Sequence, residues 1–456
     1  MPTTNELLKR YADNQLFRDS DTWEMTRPPY QRSLRHQALG AVDVESPLSA
    51  DDFMNYEALA AQRILTTVYE QDLVFLPRDR YDGWKEDFDE FYSQELRDLA
   101  NQFRGTLEQF LYGHLERDVA VSDGWTKERF CEFLSDRDKE PEGAMDWNQT
   151  IRSSRDPQRA ARMWLVQLAP DFLSESSPMI KNVLGNFGPV QSEWFKIVID
   201  EYGYGVHDKK HSTLYEKTLE SVGLDSRPHY YWQYYLSSAL SANNFFHYMG
   251  SEHRNFFRYV GALALTESSL VHFCEQAAEV LASVFPEQCD VEYFTEHCHI
   301  DDHHGRMALE DVCLPLVDKF GEAIIPEMVW GMLAYEHLMS QFDTQFRIQI
   351  EWMDAQPEMF DLHKKIAQRI LSASNVPVAD LDEPFNDLSN SHCHNQDELC
   401  HIISGTMYFF SGLDSKLILG PGDGVVIKNR RQHGADILSD SCQYQIHSIG
   451  DVDRWL

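Results

Sequence analysis

The chain has 456 residues, of which 43% are hydrophobic and 25% charged, a composition typical of a globular protein with several domains. Its 40 Lys and Arg against 74 Asp and Glu give a formal net charge of -34, which excludes nucleic acids and anionic membranes as expected partners, because both need basic surfaces. The sequence lacks a signal-peptide pattern and any apolar run of membrane-spanning length. Eight scattered cysteines without a Cys-x-x-Cys pair indicate reduced thiols and a cytoplasmic protein.

The N-terminal part of the chain predicts a mainly helical domain over residues 1–135. Residues 51–69 begin with an acidic cap and continue with apolar residues at helical spacing, and residues 88–115 carry a similar drifting stripe. This part contains no catalytic constellation, so we predict a structural role, with dimerisation as the leading specific function. The turn-forming residues 139–144 predict a loop near its end.

A second helical block is predicted from about residue 156 to 373, and carboxylates interrupt its apolar faces. Asp156-Pro157 marks a helix start, Pro170 predicts a kink or restart, and Glu175 then occupies a position where an apolar side chain is expected. A carboxylate in such a position must be paired, protonated or bound to a metal.

Two further carboxylates occupy comparable positions. A helix ends at Glu201, and two glycines before His211 predict a local break that would let both side chains aim at one point. An aromatic-rich helix pair follows, beginning near His229 and Asn255, and its second helix places Glu267 on an apolar stripe. One such glutamate alone is more often salt-bridged, but several in successive helices favour metal binding.

The densest group of metal-capable side chains lies in residues 293–306. If this segment is helical, His297, Asp301 and His304 fall at i, i+4 and i+7 and share one face, while its other polar residues point elsewhere. Two imidazoles and a carboxylate suit a non-haem iron with open positions for O2. Taken alone, the segment is also compatible with a solvated helix rich in His and Asp.

The helical block therefore offers more ligands than one iron takes, and we predict two irons bridged by carboxylate. The candidate ligands are Glu175, Glu201, His211, Glu267, His297, Asp301 and His304. A ferritin-like bundle would instead need an inward Glu-x-x-His on each of two helices. The motif occurs at 296–299 and 398–401, and the second lies in a β region, so the ferritin-like interpretation fails.

Beyond a Pro- and turn-rich boundary at residues 372–390, the hydrophobic period changes to two and predicts a small antiparallel β-barrel or jelly roll. It contains the cupin metal motif His392-x-His394-x3-Glu398-x6-Gly405, in which strand alternation puts the two histidines on one face. His433 is expected to enter from a partner strand. Three imidazoles would leave an iron with open positions, and whether Glu398 also coordinates stays open.

Several stretches of the chain resemble a known family that carries two such iron sites, helical first and cupin last. These stretches are Ala160-Ala-Arg-Met-Trp-Leu-Val-Gln, Asp171-Phe-Leu-Ser-Glu, Gln191-Ser-Glu-Trp-Phe-Lys, Asp200-Glu-Tyr-Gly-Tyr-Gly-Val-His, Thr266-Glu-Ser-Ser-Leu, His303-His-Gly-Arg-Met and Glu398-Leu-Cys-His. They resemble the N-nitrosourea-forming enzymes of streptozotocin biosynthesis, which are haem-oxygenase-like diiron oxygenases fused to a C-terminal cupin. The resemblance covers nearly the whole chain.

This resemblance implies a multidomain α + β protein, with a helical, dimerising region at 1–135, a haem-oxygenase-like all-α bundle at 136–375 and a cupin at 376–456. It implies that the seven helical ligands hold two irons, and that His392, His394 and His433 hold a third. The implied substrate is Nω-methyl-L-arginine. The helical centre would use O2 and an external electron donor to hydroxylate Nδ and Nω′, and the cupin iron would rearrange the product to an N-nitrosourea.

Two catalytic candidates and two alternative functions accompany this interpretation. The guanidinium must lose its proton, for which Asp208 is a candidate acceptor, and Tyr444 is expected on the inner face of the last strand, as a hydroxyl near the iron or as packing alone. The first alternative is a diiron N-hydroxylase of another amine or guanidine with a divergent cupin. The second is a non-catalytic metabolite- or iron-binding cupin protein, although no basic DNA-binding segment accompanies the cupin.

Overall fold

The computed structural model describes residues 2–20, 22–137, 145–174 and 176–456, without the side chains at positions 41, 136, 137, 301 and 302. The predicted loop at 139–144 lies outside these residues. The α-helices are α1 Thr4–Ala12, α2 Tyr56–Glu70, α3 Trp84–Phe91, α4 Gln94–Tyr112, α5 Leu115–Asp118, α6 Lys127–Arg137, α7 Asp146–Ser153, α8 Pro157–Phe172, α9 Ser177–Lys181, α10 Pro189–Glu201, α11 His211–Ser221, α12 Ser237–Ser251, α13 Phe256–Val284, α14 Glu292–Arg306, α15 Leu314–Phe320, α16 Ile325–Asp354 and α17 Gln356–Leu371.

A π-helix continues α14 over Met307–Cys313, and short 3-10 helices connect several of the longer elements. The 3-10 helices are Gln15–Phe17, His36–Ala41, Ala50–Asp52, Gly203–Gly205, His207–Lys209, Trp232–Tyr234, His253–Asn255, Glu322–Ile324 and Val452–Trp455. The strands are β1 Val378–Pro384, β2 Leu388–His392, β3 Asp397–Ser404, β4 Met407–Gly412, β5 Ser415–Leu419, β6 Gly424–Ile427, β7 His433–Ile437 and β8 Ser441–Gly450.

The N-terminal helices begin later and break more often than the periodicity predicts. The residues near Asp51 form a short 3-10 turn, in which the hydroxyl of Ser49 accepts a hydrogen bond from the backbone N–H of Asp51 at 3.4 Å, and α2 begins only at Tyr56. The predicted continuous helix over 88–115 is interrupted because the hydroxyl of Ser93 accepts from the backbone N–H of Leu96 at 3.2 Å and starts a new helix, α4.

The two helical parts of the chain share one hydrophobic core. Side chains from α2, such as Ile64, belong to the same buried cluster as Trp164 of α8 and Leu263 of α13. Glycines let α13 and α16 approach closely, because a Cβ atom at Gly261 would collide with the carbonyl of Met328. The helices that carry the candidate metal ligands are therefore held in a continuous packed interior, and the division of the chain at 135 and 375 remains a proposal.

The central block follows the predicted start but departs from two other predictions. The side chain of Asp156 accepts a hydrogen bond from the N–H of Arg159 at 3.0 Å and caps α8, as Asp-Pro predicts. Pro170 lies in the last turn of α8, which ends at Phe172 without a restart. The predicted helix from His229 is wrong, because His229 has a left-handed backbone with φ 63° and only a 3-10 turn follows.

The strands form two four-stranded antiparallel sheets, with orders β1-β8-β3-β6 and β2-β7-β4-β5 among the residues that the structure describes. This architecture confirms the predicted α + β fold with a C-terminal antiparallel β domain. Strand β1 lies within the stretch that the sequence predicts as a boundary, since it is an exposed edge strand without an apolar face. Strand β2 ends at His392, so His394 lies beyond the strand and not on its face as predicted.

None of the helices in the described part of the chain has the length and mean hydropathy that crossing a bilayer requires. None of the eight cysteines, all of which lie in the described ranges, forms a disulfide bond, in agreement with the predicted reduced thiols.

Candidate metal centres

Five buried side chains from four helices converge inside the helical block. The ligand atoms of Glu201, His211 and His297 lie within 4.8 Å of one another, and those of Glu201, Glu267 and His304 do so as well. Glu201, the last residue of α10, belongs to both groups. A carboxylate shared by two donor groups is the arrangement that bridges two metal ions.

The two oxygens of Glu201 face different imidazoles. Oε2 of Glu201 lies 2.8 Å from Nδ1 of His211, while Oε1 lies 3.5 Å from Nδ1 of His304. The same nitrogen of His304 is 3.3 Å from Oε2 of Glu267. Each carboxylate oxygen of Glu201 therefore faces one of the two donor groups.

A backbone break brings Glu201 and His211 together, as the two glycines predict. Gly203 has φ +58°, a left-handed conformation that favours glycine, and a Cβ atom there would lie 2.5 Å from the carbonyl carbon of Lys209. The chain folds tightly through two short 3-10 helices, so that α11 starts at His211 beside the end of α10.

Close packing of α13 against α14 brings Glu267 next to His304. A Cβ atom at Gly305 would lie 3.0 Å from the Cα of Ser268, which is tighter than ordinary van der Waals contact. Since Ser268 follows Glu267 and Gly305 follows His304, glycine at this crossing sets the separation of the two ligands.

Hydrogen bonds to the other ring nitrogens orient the imidazoles. Nδ1 of His297 is 2.7 Å from the carbonyl oxygen of Tyr293, so Nε2 is the nitrogen that would bind a metal. Nε2 of His304 is 3.0 Å from Oδ2 of Asp200, which leaves Nδ1 directed at the glutamates. The sequence analysis did not identify Asp200 as a site residue. The sequence feature that could have indicated it is its position directly before Glu201.

The charges of this centre are strongly coupled. Burial raises the pKa of Glu201, but the His211 imidazole and its hydrogen bond, together with His297 and His304, lower it to about 2. Burial raises the pKa of Glu267 despite its contact with His304. Burial, reinforced by His211, lowers the pKa of His297 to about 4, so this imidazole is neutral and able to ligate at neutral pH.

Two of the predicted helical ligands cannot be placed. Glu175 lies outside the described residues, and Asp301 lies in α14 one turn from His297, but its side chain is not described. Both remain predictions. The other members of the segment whose side chains are described, Glu296, His299 and His303, are exposed, as expected for residues off the metal-facing side.

A cavity of about 1010 Å³ reaches the helical centre and is lined by Glu201, Glu267 and His297. Further acidic residues also line it, and two of them, Asp171 and Asp343, have carboxyl groups whose pKa is raised. Burial, with a contribution from Glu201, raises the pKa of Asp171 to about 6, and burial raises that of Asp343 to about 7. The cavity therefore combines the donor groups with additional acidic side chains suited to a cationic ligand.

The structure places the proton-acceptor candidate Asp208 elsewhere. Asp208 lies in the 3-10 helix between Gly205 and His211, and its side chain is exposed and does not line the cavity. The tight turn that brings His211 inward carries Asp208 outward, and its role as proton acceptor stays a prediction. Asp171 and Asp343 are two of the cavity-lining acidic residues that the sequence analysis did not identify.

A second centre lies in the β domain. The ligand atoms of His392, His394 and His433 lie within 4.8 Å of one another, with Nε2 of His392 and Nε2 of His394 3.1 Å apart. Nδ1 of His392 is 2.8 Å from the carbonyl oxygen of Asn390, and Nδ1 of His433 is 2.9 Å from that of Arg431. These backbone acceptors hold the Nδ1 protons, so the Nε2 atoms would bind the metal.

The three imidazoles are neutral donors. Burial lowers the pKa of His394 to about 4 and that of His433 to about 3, and it lowers the pKa of His392 well below its ordinary range. Phe409 stacks on His433 with ring centroids 5.7 Å apart and shields that side of the centre. Three neutral, buried nitrogens fit a divalent iron that keeps open positions.

Glu398 and Tyr444 lie near this centre without belonging to the donor group. Oε2 of Glu398 is 3.2 Å from Nε2 of His394, and burial raises the pKa of Glu398 to about 7. Tyr444 is buried in the apolar cluster that includes Phe409, and its hydroxyl donates to Oε2 of Glu383 on β1 at 2.8 Å. A direct role for Tyr444 beside the metal remains a proposal.

Residues from the helical parts support both ligand strands of this centre. Arg63 of α2 donates from Nη1 to the carbonyl of Ser391 at 2.8 Å, directly before His392. Gln349 of α16 accepts from the backbone N–H of Gln432 at 3.0 Å, directly before His433. No local pattern signals these contacts, because they join residues far apart in the chain.

Comparisons with known proteins agree with the two centres. Residues 162–337, which span most of the helical donors, match the family model described as an iron-containing redox enzyme. A nitrosourea synthase from Streptomyces achromogenes subsp. streptozoticus is 52% identical over 455 residues, which cover 99% of this chain and 96% of the relative. A solved structure of an HTH_3 family transcriptional regulator from Vibrio cholerae covers 42% of this chain and 97% of its own at 12% identity, and its TM-score of 0.15 says nothing about the fold.

The identity to the nitrosourea synthase extends across the helical and β parts alike, and the iron-containing redox region coincides with the buried carboxylates and imidazoles of the helical centre. The predicted resemblance and the prediction of an iron-containing oxidoreductase are thereby confirmed. The chain belongs to the nitrosourea synthase family.

Proposed function

We propose that this protein converts Nω-methyl-L-arginine into an N-nitrosourea in two O2-dependent stages. The helical centre hydroxylates Nδ and Nω′ of the guanidine, and the cupin centre rearranges the hydroxylated product and joins two of its nitrogens. The observation that carries the proposal is the presence of two different buried donor groups in one chain, one rich in carboxylate and one made of imidazoles. The name of the relative that is 52% identical supports the same product.

The donor groups define which ions each centre would hold. In the helical centre, Glu201 would bridge two irons, with His211 and His297 on one side and Glu267 and His304 on the other. In the cupin, three neutral imidazoles would hold one iron. Bound iron would supply the electrons that reduce O2. We therefore expect three irons per chain and an external electron donor for the hydroxylations, since one oxygen atom enters the N–O bond and the other leaves as water.

The acidic cavity fits a guanidinium side chain. A volume of about 1010 Å³ accommodates an arginine derivative, and Asp171 and Asp343 would pair with its positive charge. Burial disfavours the ionised form of both carboxyl groups. A cation that enters the cavity would favour the ionised form and would pair with it. We assign to these two side chains the recognition of the guanidinium.

The assembly and location of the protein follow the same proposal. We infer a homodimer through the N-terminal helical region, which exposes Val74 and Leu76 at 80% and 63% of their surfaces. We also infer a cytoplasmic enzyme, in keeping with cysteines that form no disulfide among the described residues. Analytical ultracentrifugation of the full chain and of a Val74→Asp variant tests the dimer, which a monomeric wild-type protein would refute.

Incubation of the iron-loaded protein with Nω-methyl-L-arginine, O2 and a reductant tests the reaction. We expect hydroxylated arginines followed by a nitrosourea in the mass spectrum, and neither product when iron is removed with a chelator. Hydroxylation of a different amine with no turnover of methylarginine would assign another substrate. Absence of O2 consumption with every guanidine and amine substrate would support a storage or sensing protein instead.

A further inference from the structure

The segment before α2 reaches into the cupin centre through Arg35. Nη1 of Arg35 donates to the carbonyl oxygen of Asn390 at 3.2 Å. The same carbonyl accepts from Nδ1 of His392 at 2.8 Å. Arg35 and the metal-binding His392 therefore share one acceptor, which places the guanidinium at the edge of the three-imidazole group.

Tyr56, the first residue of α2, holds Arg35 in this place. The hydroxyl of Tyr56 accepts from Nε of Arg35 at 2.8 Å, and the ring of Tyr56 lies beside that of His392 with centroids 5.7 Å apart. The backbone of Arg35 is left-handed, with φ 50° and ψ 45°, a conformation that is unfavourable for a residue other than glycine. The local backbone is thus strained at the residue that presents the guanidinium to the metal centre.

Among the residues that the structure describes, the guanidinium of Arg35 makes no salt bridge, and its Nη2 makes no hydrogen bond. Neighbouring arginines differ, because Arg32 pairs with Glu70 and Arg430 pairs with Asp52 at 3.2 Å. A half-buried guanidinium without a counter-ion favours the binding of an anion beside it.

The geometry places the guanidinium on the metal side of this junction. Arg35 and His392 donate to the same carbonyl oxygen, that of Asn390, and the ring of Tyr56, which accepts from Nε of Arg35, lies beside that of His392. An anion paired with Arg35 would therefore lie next to the three-imidazole group.

We propose that Arg35 binds the α-carboxylate of the hydroxylated amino acid at the cupin centre, with Tyr56 as a positioning residue. Nη2 and the second hydrogen of Nη1 form the two-donor edge that matches a carboxylate. This inference rests on the proposed function. It gives the N-terminal region a part in substrate recognition in addition to assembly.

Binding measured without turnover tests the proposal. The cupin is loaded with Fe(II) under anaerobic conditions in the Glu267→Ala background, and the nitric oxide adduct of its iron is followed by EPR while a probe is added. The probes are Nω-hydroxy-L-arginine and its decarboxylated counterpart, Nω-hydroxyagmatine. We expect Arg35→Gln to weaken binding of the amino acid about 10- to 100-fold and to leave binding of the decarboxylated probe unchanged.

The controls separate recognition from structure. Arg430→Gln removes an arginine from the same junction between the N-terminal region and the cupin, and it should bind both probes as the wild-type chain does. Arg35→Lys keeps the positive charge but lacks the two-donor edge of the guanidinium, and it should bind the amino acid with intermediate affinity. Equal weakening of both probes by Arg35→Gln, loss of the cupin iron in that variant, or unchanged affinity for the amino acid would overturn the proposal.

Product analysis distinguishes the inference from the proposed function. With methylarginine, the Arg35→Gln variant should hydroxylate at the wild-type rate and accumulate hydroxylated arginines. A wild-type protein that makes no nitrosourea would reject the proposed function, while the EPR titration would still decide the role of Arg35.

Discussion

Asp200 provides a test of the helical centre that does not touch a metal ligand. Its Oδ2 lies 3.0 Å from Nε2 of His304, whose Nδ1 is 3.5 Å from Glu201 and 3.3 Å from Glu267. A carboxylate that holds a metal-binding histidine typically contributes about 10- to 100-fold to metal affinity. We expect Asp200→Ala to weaken iron binding at the helical centre by that factor, which corresponds to about 1.4–2.8 kcal/mol.

The asparagine variant separates charge from geometry. Asp200→Asn keeps an oxygen acceptor for His304 but removes the negative charge. A hydrogen bond to a charged acceptor is roughly twice as strong as one to a neutral acceptor. We expect a loss of affinity of about 10-fold, with less loss of fold stability than in Asp200→Ala, where the buried nitrogen of His304 loses its acceptor at a cost of about 1–3 kcal/mol.

Anaerobic Fe(II) titration that counts bound iron per chain measures the effect, and thermal unfolding of the metal-free protein measures the stability. Asp208→Asn is the matched control, because it makes the same change in the same segment at an exposed position. Wild-type iron affinity in both Asp200 variants, or an equal loss in Asp208→Asn, would refute the assignment of His304 as a ligand held by Asp200.

Four further outcomes are expected. Glu267→Ala should abolish hydroxylation and leave only the cupin iron, which metal analysis would count. Replacing His392 and His394 with Ala should instead let hydroxylated arginines accumulate, which mass spectrometry would detect. Gly305→Ala should lower the free energy of unfolding by about 1–3 kcal/mol in a denaturant titration, because its Cβ would meet α13 at 3.0 Å. Burial lowers the pKa values of His394 and His433 to about 4 and about 3 in the folded protein. Below about pH 6.5 the unfolded chain therefore binds more protons than the folded one. We expect calorimetric scans of the metal-free protein to show a loss of stability as the pH falls from about 6.5 toward 4.

Much of the architecture could be predicted from local patterns. The change of hydrophobic period near residue 390 marks the entry into the β domain, because side-chain alternation follows directly from strand geometry. The two glycines after Glu201 predicted the break that brings His211 to it, since glycine alone adopts the required backbone at no steric cost. The prediction of a helix from His229 was wrong because the pattern of aromatic residues does not indicate the left-handed backbone of that residue.

The amino-acid sequence by itself determined the types and the order of the donors: carboxylates where apolar side chains belong, imidazoles two helical turns apart, and a histidine motif on a β domain. Only the tertiary structure decided that Asp200 holds His304, that Asp208 faces outward, and that Arg35 and Arg63 lie against the strand that ends at His392. The physical reason is that spacing along the chain fixes which side chains share a face, whereas contacts between distant segments depend on how the faces pack.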